Sequence, residues 1–277
     1  MVFRRRRAGG LALGVCALAA TAAGVAWGAQ HAGPAPDVSR LAPRALLAST
    51  LGIVPPFVPA PAKAVAGACP RPANRLIQHA ARDCREVALT FDDGPWPTTP
   101  AILAILARRK VHATFFTLGS QIEGRETILR RLRAAGHAIA NHTWTHPDLT
   151  GIKPRQVRSE LTRTSLAMHA VTGLEPCLVR APYGLTSARV ISQARAMGLQ
   201  MIGWDVDSQD YTRPGSKKIL ATILRQVRPG SIVLMHDGGG RRGQTIAALP
   251  RIITRLTRRG YRLVTVPELL RHRRAPQ

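Results

Sequence analysis

The run Val87-Ala88-Leu89-Thr90-Phe91-Asp92-Asp93-Gly94-Pro95-Trp96 decides how this chain is read. An apolar, β-forming stretch runs straight into two adjacent carboxylates and then into a Gly-Pro turn. Successive strand side chains point to opposite faces, so neighbouring aspartates cannot share one face while the strand continues. A turn at the strand's end can swing both around a single small site. Asp and Gly-Pro are also ordinary turn residues, so this stretch alone leaves a working site and a solvated turn both open.

Outward from it, strand and helix patterns alternate. Strands are expected over 86–91, 111–118, 137–141, 177–180, 200–205, 231–235 and 261–266. Helices are expected over about 99–109, 126–135, 154–172, 187–197, 216–227 and 246–259. Thr98-Thr99-Pro100 supplies a hydroxyl cap and a first-turn proline to the first helix. Gly173 stops the long one, in which Val157, Leu161, Met168 and Val171 recur at helical spacing. Seven strands alternating with helices argue for parallel strands joined by crossovers. On that count a barrel and an open doubly wound sheet both remain open.

The polar residues that break the pattern fall at the C-terminal ends of these strands. Asp92 and Asp93 follow the first, His142 and His146 the third, Arg180 and Tyr183 the fourth, Asp207 and Asp210 the fifth, and His236 the sixth. Ligand sites of α/β sheets and barrels gather at that edge, and five such places on one edge argue for a site over a set of solvated turns. His142-x-x-x-His146 with an aspartate makes a two-histidine, one-carboxylate set, and three protein ligands leave a coordination position open, the catalytic arrangement for zinc. Taken alone, two histidines around Trp144 are equally surface or core groups.

The chain has 277 residues, long enough for one large domain or two small ones, and its 45% hydrophobic and 20% charged content describes a globular protein. Forty Lys and Arg against fifteen Asp and Glu give a net charge of +25, which suits polyanions. No finger spacing or aromatic-interleaved basic segment points to nucleic acid, so no nucleic-acid partner is expected and the charge reads as an envelope or solubility property. Arg4 to Arg7, the apolar run over 11–27 and Ala26-Trp27-Gly28 read as an export signal, either cleaved or retained as a single-span anchor. The expected organisation is therefore a signal peptide or signal anchor over 1–28, an Ala/Pro-rich linker over 29–68 and a folded domain over 69–277, in the periplasm, cell envelope or outside the cell. In such an oxidising compartment Cys69 and Cys84 are the expected disulfide, with Cys177 left over as a small buried hydrophobe.

Five segments, in order, resemble the motifs of the polysaccharide deacetylases: Thr90-Phe91-Asp92-Asp93-Gly94-Pro95, His142-x-x-x-His146, Arg180-x-Pro182-Tyr183-Gly184, Asp207-x-x-Asp210-Tyr211 and Leu234-x-His236. That family comprises metal-dependent hydrolases that remove acetyl groups from N-acetylglucosamine-type sugars, and the resemblance covers about residues 84–270. It implies an α/β fold, a distorted (β/α) barrel of about seven strands, and makes 69–277 the catalytic domain. It also implies a divalent metal, zinc above all, on Asp93, His142 and His146. Asp92 would be the general base, Arg180 would hold it, and the Tyr183 backbone N–H would stabilise the oxyanion. His236 would be the general acid, oriented by Asp210, and Leu234 would wall the pocket for the acetyl methyl. The implied partner is an acetylated amino-sugar polysaccharide or oligosaccharide, bound by a monomer. Tyr211 stands where the family usually has Trp, which bears on the groove wall and not on the chemistry. A catalytically silent glycan-binding module of the same fold is the competing reading.

Overall fold

The computed structural model describes residues 69–83 and 85–271; the expected export signal or anchor, the linker and Cys84 lie outside the described residues. The described residues form eight strands: β1 (Glu86–Gly94), β2 (Thr114–Thr117), β3 (Ala138–Asn141), β4 (Leu178–Val179), β5 (Gln200–Met201), β6 (Val206–Asp207), β7 (Ser231–His236) and β8 (Arg262–Val264). The helices are α1 (Thr99–Arg109), α2 (Glu126–Ala134), α3 (Pro154–Thr172), α4 (Ala188–Ala196), α5 (Ser216–Gln226), α6 (Gly243–Arg258) and α7 (Val266–Arg271). Among the described residues no helix is long and apolar enough to cross a membrane.

Every strand pairing is parallel, in the order β5-β4-β3-β2-β1-β7-β6. β1 is the centre. β7 occupies one of its edges, while β8 and β2 share the other, beside Glu86–Ala88 and Thr90–Gly94 respectively. β5 and β6 form the two ends of this order, yet only Ile202 to Asp205 separate them in the chain. Five Cα steps reach no further than roughly 18 Å, so the sheet must curl until its ends approach. Ile77 bridges Ile202 and His79 bridges Ser231 in the remaining gap. The result is a distorted barrel, and the strand expected over 200–205 is split because the chain crosses that gap within it.

Alternation along β1 sets the two sides of the wall. Val87, Leu89 and Phe91 pack outward with Phe115, Ile139, Val233 and Met235 against α1 and α6, and the Phe91 and Phe115 rings stack at 5.1 Å. Ala88 faces inward with Phe116, Ala140, Ile232 and Val264, and Leu269 and Leu270 of α7 join this inner cluster. A strand buried on both faces reads as a continuous apolar run, as parallel strands do. A third cluster packs Val157 and Leu161 of α3 and Val190 and Ala194 of α4 on Val179 and Met201.

Two expectations are corrected. Thr98 makes no side-chain cap to α1; its hydroxyl donates to the Asp237 carbonyl instead, and the Thr99 hydroxyl binds the Asp237 carboxylate. The disulfide joins Cys69 to Cys177, not to Cys84. The reason is strand pairing: the Ile77 N–H donates to the Met201 carbonyl (3.1 Å) and the Gly203 N–H to the Ile77 carbonyl (2.7 Å). The entering chain is thus laid beside β5, which brings Cys69 to Cys177, the residue before β4. Short sequence spacing favours loop closure only weakly. Peptide mapping without reduction should therefore recover a Cys69–Cys177 linked peptide, and one joining Cys84 to either would contradict the pairing. Closing a loop of separation 108, this bridge contributes at most roughly 4–5 kcal/mol, which Cys177→Ser should remove.

Candidate active site

The two adjacent aspartates reach one site because the strand is bulged there. Ala88, Thr90 and Asp92 continue the inward parity of β1, and Asp93 would by alternation face the helices. The register instead jumps between Asp92 and Gly94, which pair with the consecutive residues Phe116 and Thr117. Asp93, the extra residue, has φ 74°, the left-handed region that aspartate tolerates better than most residues. Gly94 is required by close approach, since a Cβ there would meet the buried Asp237 carboxylate at 2.2 Å.

Opposite them, the loop after β3 presents His142 and His146. Asn141 begins it: its side-chain amide donates to the Leu161 carbonyl (2.8 Å) and its Oδ1 accepts the Thr143 N–H (2.8 Å). Glu160 of α3 takes the backbone N–H groups of Trp144 and Thr145, both at 2.8 Å. Thr143 and His146 have φ of 71° and 65°. Backbone outliers of this kind are held only where the surroundings over-determine them.

Asp93 Oδ1 lies 3.5 Å from Nε2 of both His142 and His146. The donor atoms of the three residues all lie within 4.8 Å of one another. Two donors about 2.1 Å from a common ion at a tetrahedral angle would be roughly 3.4 Å apart, so the spacing fits a divalent metal. Three further observations agree. Asp93 Oδ1 is buried with no hydrogen-bond partner among the described residues. His142 Nδ1 is committed to the Arg180 carbonyl at 2.9 Å, which leaves its Nε2 lone pair facing the set. Burial and the neighbouring His142 depress the His146 pKa, so the ring offers a free lone pair at neutral pH. Burial alone would raise the Asp93 pKa, but contact with His142 and the charges of His142, His236 and His146 hold it at about 2.

Arg180 fills the barrel interior and is wholly buried. Its Nη1 donates to Asp92 Oδ1 (2.7 Å) and to Thr90 Oγ1 (2.8 Å), and its Nη2 donates to the Gly203 carbonyl (3.0 Å). The guanidinium lies 3.9 Å from the centre of the Phe116 ring. Asp92 Oδ2 is left on the side of the histidines, 3.7 Å from His142 Nε2.

Across the cavity, His236 ends β7. Its Nδ1 and backbone N–H both meet Asp210, at 2.7 and 2.9 Å, and the Thr245 hydroxyl donates to Asp210 Oδ2 at 2.7 Å. Burial works against a charged ring here, but the Asp210 hydrogen bond and charge, with Asp92 and Asp93 behind, raise the His236 pKa above its ordinary value. Asp210 is lowered in turn: burial opposes, and the His236 and Thr245 contacts prevail.

Asp92, Asp93, His142, His146 and His236 line one cavity of about 350 Å³ with Leu234, Tyr183, Tyr211, Trp204 and Arg242, and Arg180 and Asp210 support Asp92 and His236 from behind it. Tyr183 is exposed, has φ 59°, and sets its ring edge against His146 at 4.6 Å. The structure thus brings together the nine residues to which the resemblance gives roles: Asp92, Asp93, His142, His146, Arg180, Tyr183, Asp210, Leu234 and His236. The sequence reading assigned no role to Thr90, Glu160, Arg242, Thr245 or Asp237. Thr90 opens the first motif and Asp237 follows the last, whereas Glu160, Arg242 and Thr245 lie on or beside helices and carry no local signal. Burial and the nearby Asp93 and Asp92 raise the Asp237 pKa to about 7.

The His236–Asp210 pair makes a prediction with a definite sign. In metal-free protein, histidine NMR should place the His236 pKa above the usual 6.5. Asp210→Asn should lower it, because burial remains and the larger of its counterweights is gone while only Asp92 and Asp93 stay. A histidine whose folded pKa is raised stabilises the fold below its unfolded pKa, and loses that contribution as pH rises through the folded value. Asp210→Asn should therefore destabilise more at about pH 5.5 than at about pH 9. An unchanged His236 pKa in Asp210→Asn would contradict this account.

The polysaccharide deacetylase family model matches residues 79–202. A chitooligosaccharide deacetylase of Bradyrhizobium sp. (strain ANU 289) is 40% identical over 198 residues, covering 67% of this chain and 90% of its own length. Among solved structures, a peptidoglycan N-acetylglucosamine deacetylase in complex with 4-naphthalen-1-yl-N-oxidanyl-benzamide superposes with a TM-score of 0.69 at 33% identity, over 71% of this chain and 92% of that one. A CE4 family pseudoenzyme from Bacillus anthracis has a TM-score of 0.67 at 29% identity, over 71% and 69% of the two chains. The extent of the first match, together with a barrel whose strand ends gather all five motifs, makes this chain a member of the polysaccharide deacetylase family of hydrolases.

Proposed function

We propose that the chain hydrolyses N-acetyl groups of N-acetylglucosamine-containing glycans and releases acetate, with Asp93, His142 and His146 holding a divalent metal. Their donor chemistry, one oxygen and two imidazole nitrogens, suits zinc. The observation that carries the reading is the pairing of two differently supported groups across one donor set. Asp92 is locked to a buried guanidinium, and His236 is held to a buried carboxylate that raises its pKa. A carboxylate with one oxygen left free and, across from it, an imidazole held by a carboxylate supply a base and an acid.

A divalent ion in the set would polarise the acetyl carbonyl and bring the pKa of water towards about 7. Asp92 Oδ2, the oxygen not taken by Arg180, receives the proton of the attacking water. Arg180 keeps that oxygen aimed at the histidines. The Tyr183 N–H donates to the developing oxyanion at the cavity mouth. His236, bound through Nδ1, presents Nε2 and gives its proton to the amide nitrogen, so that the C–N bond breaks and a free amine leaves with acetate as the other product. Leu234 borders the methyl. The competing silent module keeps the fold without turnover, as a pseudoenzyme relative shows that a fold can, but here every proposed catalytic position is filled.

The substrate class rests on the relatives' names, chitooligosaccharide and peptidoglycan N-acetylglucosamine deacetylases. Tyr211 is half exposed, 5.6 Å from the His236 ring, with its hydroxyl 3.3 Å from Asp207 Oδ2. It offers an aromatic wall smaller than Trp beside the acid. The arginine-led apolar N-terminus supports action outside the cytoplasm.

His146→Ala should lose bound metal that the wild type holds near one per chain; equal occupancy would remove His146 from the ligand set. The division of labour is tested by comparing an acetamide with an activated acetate ester. Asp92→Asn should lose most turnover on both, because nothing takes the water's proton. His236→Ala should lose the amide reaction by about 10²–10⁴-fold and the ester reaction far less, since that leaving group needs no proton. Equal losses on both substrates would refute the general-acid role of His236.

A further inference from the structure

We infer that the barrel face at the N-terminal ends of the strands docks onto an anionic lipid surface, with the catalytic cavity turned away from it. Chain connectivity defines this face. α1 ends at Arg109 and β2 begins at Thr114; α2 ends at Ala134 and β3 begins at Ala138; α6 ends at Arg258 and β8 begins at Arg262. The same holds for α3 before β4, α4 before β5 and α5 before β7. All six helix C-termini therefore lie at the end opposite the cavity. α5 packs on α6, α6 on α1, α1 on α2, α2 on α3 and α3 on α4, so these termini form one continuous rim.

That rim is basic. α1 ends in exposed Arg108, Arg109 and Lys110, and α2 carries exposed Arg131 and Arg133 in its last turn. α6 ends in exposed Arg255, Arg258 and Arg259, and the α5 terminus adds Arg225 and Arg228. Backbone carbonyls knit the strand starts into the same patch. Arg259 Nη1 reaches the Leu224 carbonyl, Arg85 binds the Arg259 carbonyl, and Arg82 Nη1 donates to the Pro229 carbonyl. Cations at helix C-termini complement the helix dipole, which accounts for one or two per helix. It does not account for the shortage of acids beside them. Glu86 is buried and paired with Arg262, Glu175 binds His169, Asp205 binds Arg82, and Asp83, exposed just before β1, is a fourth acid at this end, against the ten basic residues of the four helix termini. Among the described residues no ion pair involves the arginines of α1, α2, α5 or α6. Asp92, Asp93, Asp207, Asp210 and Asp237 gather instead at the other end, around the cavity, so the barrel is polarised along its axis.

The second observation is where the chain enters. The disulfide fixes Cys69 to Cys177, immediately before β4. The 68 residues that precede Cys69, with Arg4 to Arg7 and the apolar run over 11–27, thus join the domain at the basic end. The chain that carries a segment suited to a bilayer therefore leaves the folded domain at the end whose face suits anionic headgroups. Each arginine close to an anionic membrane strengthens association about fivefold, and attachment near the surface multiplies weak contacts through effective concentration. In this pose the cavity faces the glycan side.

Hydrogen exchange of the full chain tests this on phosphatidylcholine vesicles and on vesicles that also contain phosphatidylglycerol. Exchange at the C-termini of α1 and α6 should slow on the anionic vesicles only, and the effect should vanish at high salt. Replacing Arg108, Arg109, Arg255 and Arg258 together by Gln should weaken the anionic-specific association several hundredfold. Unchanged melting and unchanged exchange near the cavity would show that this variant is folded; if it is not, the wild-type comparison between vesicles decides alone. Equal protection on both vesicle types, or protection at the cavity loops instead, would overturn the inference. Equal protection by soluble polyphosphate would overturn the assignment to lipid and leave a general polyanion site.

Discussion

Arg180 in the barrel interior is the constraint on which the site depends. Burying an ion pair costs several kcal/mol per charge before any attraction is counted, and the cost is bearable only when donors are used. Arg180 donates from its Nη atoms to Asp92, Thr90 and the Gly203 carbonyl and places its guanidinium over Phe116, leaving Nε without a partner among the described residues. Its backbone carbonyl meanwhile fixes the His142 ring. One residue therefore positions both Asp92, the proposed base, and the imidazole of His142, a proposed metal ligand. Removing it would leave Asp92 buried without its charged partner, the situation that costs about 3–5 kcal/mol in other proteins.

Around that pair the backbone is bent where the chemistry needs it. Asp93, Thr143, His146 and Tyr183 all have positive φ, and none is glycine. Such conformations cost of order 1–3 kcal/mol each and cluster at functional sites. Their supports are visible: the bulge on β1, Glu160 beneath the histidine loop, and Asn141 at its start. The stability stored in the three packed clusters is what holds these residues in place.

Much of this was legible in the sequence because the motifs lie at strand ends, where period and polarity change together. Helices stopped where glycines allowed it, as at Gly173 with φ 66°. What was not legible depended on closure. The gap between β5 and β6 appears only when the sheet curls, and it is the segment beside that gap that sends Cys69 to Cys177. The neighbour-based choice of Cys84 could not anticipate it. Thr98 looked like a helix cap because its nearest sequence neighbours are helical, yet its hydroxyl goes to Asp237, 139 residues away. Sequence showed that Asp92 and Asp93 could not share a face along a regular strand; only the register shift showed how they do.

The central claim is that this barrel performs metal-dependent hydrolysis of an acetamido group. Acetate release from an N-acetylated chitin oligomer, measured before chelation, after it, and after zinc is restored, tests it most directly. The account predicts release that disappears with the metal and returns with it. Absence of acetate from folded, metal-loaded protein across N-acetylglucosamine-containing glycans, or undiminished release from protein free of divalent ions, would contradict it.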